Sequence, residues 1–185
     1  MIVIYKIKVN RYMATFWTYP NTIAQYVETG AEDNHISWNN IGSGDLISND
    51  KLSLVTTKNL YHIARSPKHD LVTKTFFLKI TNFKFQNLPG SVSGIELRLT
   101  ANRRGRIMDD TVQLLLNDEL IGDNRASLEI PQTKIYGSPA DLWNTGLTIS
   151  DLNNNNFGVL LRFKSHIKWP HSDPIFVNCV ELRIH

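Results

Sequence analysis

The residues of this chain that could do chemistry are few, and their spacing works against them. Asp109 and Asp110 stand side by side, and two convergent carboxylates can act as acid and base or share a metal. Neighbouring residues of a strand point to opposite faces, so this pair diverges unless the backbone turns there. Arg103, Arg104 and Arg106 lie just upstream. Charge pairing across a hairpin loop is therefore the expected role, and a hydrolase built on Asp109, Asp110 or Glu96 is the least supported class.

The string Asp151-Leu-Asn-Asn-Asn155 spaces its oxygens as a calcium loop does. Such a loop needs glycine sixth and a carboxylate twelfth, where this chain has Asn156 and Arg162. The asparagines read instead as turn residues that tolerate a left-handed backbone. His35, His62, His69, His166, His171 and His185 show no zinc spacing. Cys179 is the only cysteine, so no intrachain disulfide forms, which favours assembly in a reducing cytoplasm. As a lone cysteine in a predicted strand it reads as structural. Serine-hydrolase, phosphate-loop and dinucleotide fingerprints are absent from the sequence. The expectation is a protein without enzyme activity, cofactor or metal.

Aromatic residues offer a different chemistry. Trp17, Tyr19, Trp38, Trp143 and Trp169 fall in predicted loops or at strand ends, where exposed rings can stack on sugars. Trp143, after Pro139 and Leu142, is expected to fold back and close one end of the core. Trp17, Tyr19, Trp38 and Trp169 remain as candidate glycan or partner contacts, with Arg103, Arg104 and Arg106 beside them. Three arginines in one loop make a small footprint for phosphate, so nucleic acid is not expected among the partners.

The elements that must position these residues follow a period of two. Val3, Tyr5, Ile7 and Val9 suggest a first strand. Ile23, Tyr26 and Val27 fall at helical spacing before Gly30 and suggest one short helix. Residues 30–50 read as a long loop around Trp38, and Leu52 and Leu54 as a short strand. Phe76, Leu78 and Ile80 share a face, after which the phase flips to Phe83 and Phe85, as a bulge near Asn82 would cause. Ile95, Leu97, Leu99 and Ala101 make the clearest half-buried strand, with Val112, Leu114 and Leu116 as its expected hairpin partner. Asn117-Asp-Glu-Leu120 is a tight reversal, Asp123 to Pro131 an irregular connection, and Thr148 the N-cap of one helical turn. Phe157 to Phe163 and Phe176 to Ile184 complete the set. The predicted class is all-β: an antiparallel, jelly-roll-like β-sandwich with at most one or two short helical turns.

Composition sets the frame. A chain of 185 residues with 42% hydrophobic and 10% aromatic content supports one sizeable core, so residues 1–185 are read as one domain. The net charge of +3 is modest. Lys6, Lys8 and Arg11 interrupt the opening apolar run before a signal-peptide core could form, and no stretch approaches the length of a membrane helix. No membrane is expected among the partners.

Two segments carry a resemblance. Tyr136-Gly-Ser-Pro-Ala-Asp-Leu-Trp143 is followed by Leu147-Thr-Ile-Ser-Asp-Leu-Asn-Asn-Asn-Asn-Phe-Gly158. Together they resemble a β-sandwich domain of bacteriophage structural proteins, in which Tyr-Gly-Gly-Pro-x-Asp-Leu-Trp-Gly leads to Leu-Thr-x-x-Asp-Ile-Asn-x-x-x-Phe-Gly-Val. Ser138 and Asn144 stand where that family has glycine. The match runs from about Thr75 to Ile184 and includes Ser93 to Arg98, Asp109 to Leu116 and Ile121 to Ala126. Trp38-Asn-Asn40 echoes a Trp-x-Asn-Pro entry without its proline. The resemblance implies a non-enzymatic virion component of capsid, neck or tail, assembled in the host cytoplasm. It would contact other virion proteins and be present in repeated copies or as a homo-oligomer. The alternative is a carbohydrate-binding β-sandwich that contacts host surface glycan. Residues 1–50 are read as a docking arm and a long loop, and the N-terminal run through Tyr19 lies outside the resemblance. Lys6 and Lys8 alone protect the N-terminal strand, and Thr15-Phe-Trp-Thr-Tyr19 follows it. Residues 1–19 are expected either to dock on another subunit or to complete their own sheet.

Overall fold

The computed structural model describes residues 14–27, 35–39, 41, 54–56, 73–102, 107–128, 132–165 and 175–185. Its strands are β1 (Pro20–Tyr26), β2 (His35–Ile36), β3 (Trp38–Asn39), β4 (Leu54–Thr56), β5 (Thr73–Thr75), β6 (Phe77–Phe83), β7 (Ile95–Asn102), β8 (Ile107–Leu116), β9 (Glu119–Ile121), β10 (Thr133–Ser138), β11 (Phe157–Ser165) and β12 (Phe176–Ile184). One helical turn, α1 (Ile149–Leu152), completes the described elements. The protein is all-β.

The strands form two sheets. The first runs β10–β7–β12–β4–β3. The second runs β1–β6–β11–β8–β9. Within it β5 continues β6 along the same side of β11, and β2 pairs with β5 in parallel, the exception to the expected antiparallel order. From β4 onward the chain alternates between sheets except where β5 runs into β6 and at the β8–β9 hairpin.

Both sheets feed one buried cluster. Ile95, Leu97, Leu99, Val180, Leu182 and Ile184 enter it from the first, and Leu78, Ile80, Val112, Leu114, Val159, Leu161 and Phe163 from the second. Alternate residues of β7 and β11 face this core as their period of two requires. Asn178 is an extra residue in β12 opposite β7, so Val177 and Val180 both face inward. Asn82 has φ +62 and accompanies the phase flip, while the β1–β6 register stays constant. The irregularity there is a left-handed residue, without an inserted one.

Several expectations hold. Asn117 and Asp118, both with positive φ, form the two-residue turn of the β8–β9 hairpin. Thr148 caps α1 in a reciprocal capping box with Asp151. Trp143 is fully buried.

Others need correction. Residues 20–26 form β1, since pairing with β6 satisfies their backbone where a short helix would leave most groups unpaired. β8 is not the hairpin partner of β7: it lies in the other sheet against β11 and β9, while β7 lies between β10 and β12. Trp38 belongs to β3 and is 5% exposed, so it is no loop tryptophan. Within the segment considered for docking, residues 15–18 lie on their own sheet. Thr15 N–H donates to the Ile184 carbonyl and Thr18 N–H to that of Leu182, each at 2.8 Å. Residues 1–13, including the predicted first strand, lie outside the described residues.

Candidate interaction surfaces

The segment Tyr136–Gly158 is architecture. The Trp143 indole Nε1–H donates to the Ile95 carbonyl at 2.9 Å inside the core. Its backbone N–H donates to Asp141 Oδ1 at 2.8 Å, and that same oxygen accepts from Arg125 at 2.8 Å. Trp143 and Asn144 both have φ +57, and Thr145 N–H bonds the Leu142 carbonyl at 3.0 Å, closing a turn with two left-handed central residues. The asparagine-rich string serves turns as well. Asn154 Oδ1 accepts from Asn156 N–H, and Asp151 Oδ2 is taken by Thr148.

Asp109 and Asp110 diverge as expected. Asp109 points into the core and accepts a hydrogen bond from the Tyr136 hydroxyl. Asp110 is the extra residue where β8 slips against β11, which turns its carboxylate to the outer face. There it meets Arg162 Nε at 2.6 Å, Lys164 Nζ at 3.2 Å and Lys74 Nζ at 3.4 Å. Its described partners thus sit on β11 and β5, where the sequence suggested the arginine loop. Arg103, Arg104 and Arg106 lie outside the described residues, as does Trp169.

The outer face of the first sheet carries crossed ion pairs. Arg98 bonds Glu181 directly across from it, and Arg183 bonds Glu96 at 2.5 Å. His185 Nε2 lies 2.8 Å from the same Glu96 oxygen. Cys179 Sγ lies 3.1 Å from Glu181, and Tyr19 also hydrogen-bonds that carboxylate. Trp17 covers the array, with the guanidinium groups of Arg98 and Arg183 each 4.4 Å from its ring centroid. Trp17 and Tyr19 are therefore brought together, but as a clasp over β7 and β12. Trp38 is corrected outright: its Nε1–H donates to the Phe76 carbonyl at 2.8 Å and its ring meets Phe163 edge-on, leaving no face for a sugar. The aromatic most open to solvent among the described residues is Phe16, at 84%.

These carboxylates are held ionised. Burial would raise Glu181, but hydrogen bonds from Arg98 and Cys179 outweigh it and keep it below its ordinary value. Burial is likewise outweighed at Glu96 by hydrogen bonds from His185 and Arg183, and at Asp110 by the charge of Arg162 and the bond from Lys164. A general acid working near neutral pH needs the opposite shift. Depressed carboxyls contribute stability above their unfolded values and lose it as pH falls through the folded ones. The melting temperature should therefore fall as pH drops below about 4. Glu181→Gln should flatten that fall while lowering stability at pH 7. A melting profile of Glu181→Gln parallel to wild type across that range would contradict the assignment.

The outer face of the second sheet is apolar at one end. Phe77, Leu115 and Leu160 are buried there without belonging to the core between the sheets. The sequence reading missed them, although each is the outward half of a consecutive apolar pair (Phe77-Leu78, Leu114-Leu115, Leu160-Leu161). Such pairs inside alternating strands signal two apolar faces. No described helix is long and apolar enough to cross a membrane, and no group of metal-ligating side chains gathers among the described residues. No protein-family model, curated protein or solved structure matches this chain.

Proposed function

We propose that this protein is a non-enzymatic structural component of a bacteriophage virion, on the capsid, neck or tail, acting through contacts with other virion proteins in repeated copies. The observation that carries this reading is the Tyr136–Trp143 segment. The residues on which the phage-protein resemblance rests are those that close the core, through the Trp143–Ile95 bond and the turn at Trp143 and Asn144. The two-sheet strand order agrees with a sandwich domain of that kind, and the titrating carboxylates serve ion pairs. Fold likeness transmits architecture more readily than activity, so the test is location. Mass spectrometry of purified particles should find the chain in stoichiometric, multiple copies. Its absence from particles, with the protein abundant in the infected lysate, would refute the assignment.

A further inference from the structure

A trough crosses the outer face of the second sheet. Tyr26 on β1, Phe77 and Lys79 on β6, Leu160 on β11, Leu115 on β8 and Leu120 on β9 line it in the order of the strands, around a volume of about 360 Å³. Tyr26 and Leu120, at its two ends, are 50% and 46% exposed. Five strands at their usual spacing give a length of about 19 Å, which an extended segment of about six residues spans. Lys79 pairs with Asp118, the polar member of the lining beside it.

The apolar floor runs into a cationic cluster. Leu160, Arg162 and Lys164 occupy alternate positions of β11 and so project from one face. The Arg162 guanidinium lies 4.0 Å from the centroid of Phe77, which lines the trough. Arg162, Lys164 and Lys74 surround one carboxylate, Asp110. Among the described residues, Lys164 and Lys74 add two cations to the Arg162–Asp110 pair, beside an apolar groove.

We propose that this surface docks an extended acidic-apolar segment of another protein, its apolar side chains in the trough and its carboxylates at Arg162, Lys164 and Lys74. The proposal rests on the protein-contact reading above and specifies the chemistry of the partner. A desolvated apolar centre beside a charged rim is the anatomy of such contacts. A sugar fits less well, because the charged groups of the described lining, Lys79 and Asp118, are already paired and only the Tyr26 hydroxyl adds to them. A second copy of the chain brings a net charge of +3 to a surface that is already positive.

The test uses the full-length protein and three sets of short fluorescein-labelled peptides, in which Leu or Phe alternates with Glu or Asp, with Lys, or with Ser. Fluorescence anisotropy should show saturable binding of the acidic set, weakened by about tenfold or more in the lysine set and weakened again by added salt. Leu120→Ser and Lys164→Gln alter exposed or half-buried side chains. Each should reduce binding by about fivefold or more with the protein still folded; Leu120→Ser should leave the melting temperature in place, and Lys164→Gln should lower it only by the loss of one Asp110 contact. Equal binding of acidic and lysine peptides, no binding of the acidic set, or indifference to both substitutions overturns the proposal. So does a neutral oligosaccharide whose binding Leu120→Ser abolishes, or a dimer that Leu120→Ser dissolves. None of these results bears on whether the chain is found in particles, so the virion reading stands or falls separately.

Discussion

Truncation of Trp143 to alanine is expected to cost about 3–5 kcal/mol and to lower the melting temperature sharply. The indole is fully enclosed, and its N–H satisfies the Ile95 carbonyl from within the core. Removing it leaves both a cavity and a buried acceptor without its donor, two losses that compound. From the sequence alone Trp38→Ala is expected to cost less than Trp143→Ala, but the structure closes that gap. Trp38 is buried, holds the Phe76 carbonyl and packs edge-on against Phe163 at 5.9 Å between centroids. The two truncations should therefore be comparable. Phe16→Ala, at a ring that is 84% exposed, should stay within about 0.5 kcal/mol of wild type. Chemical denaturation of the three variants decides it. A negligible loss at Trp143 would mean that its segment does not close the core.

What was legible in the sequence was local. β7, β11 and β12 announce themselves by alternation, and the Asn117-Asp118 reversal and the Thr148 cap by turn and cap chemistry that acts within a few residues. What was hidden depends on partners distant in the chain. β1 exposes part of both faces, so its apolar residues show no period of two, and Ile23, Tyr26 and Val27 fit a helix equally well. Nothing in β7 or β8 says which sheet each joins, since both bury one face in the same core and only packing between sheets decides. Trp38 sits in a two-residue strand beside Ser37 and Asn39, too short for any period to register. For the acidic pair, strand geometry alone separates Asp109 from Asp110. Finding Arg162, Lys164 and Lys74 around Asp110 needs the β8–β11 register and its slip.

The same contrast governs the glycine positions of the resemblance, and it makes Gly137→Ala the second large effect. Gly137 has φ +80, and a Cβ there would fall 2.2 Å from the Ile95 carbonyl oxygen and 2.6 Å from Trp143 Nε1. The carbonyl belongs to the backbone of β7, which is held in register against β10, so it cannot yield as a flexible side chain would. Left-handed strain of about 1–2 kcal/mol adds to overpacking of about 1–3 kcal/mol. The family's other two glycines are dispensable here for physical reasons. Ser138 is not among the residues with positive φ, so a side chain costs nothing in backbone strain. Asn144 does adopt φ +57, but asparagine tolerates that region. Ser138→Gly should therefore bring no gain in stability, whereas Gly137→Ala should be severe. Because the added methyl and the indole compete for one carbonyl, Gly137→Ala should cost less in a Trp143→Ala background, a coupling of about 0.5–3 kcal/mol in a double-mutant cycle. Strict additivity, or a Gly137→Ala protein that melts with wild type, would show that glycine and tryptophan do not act on Ile95 together.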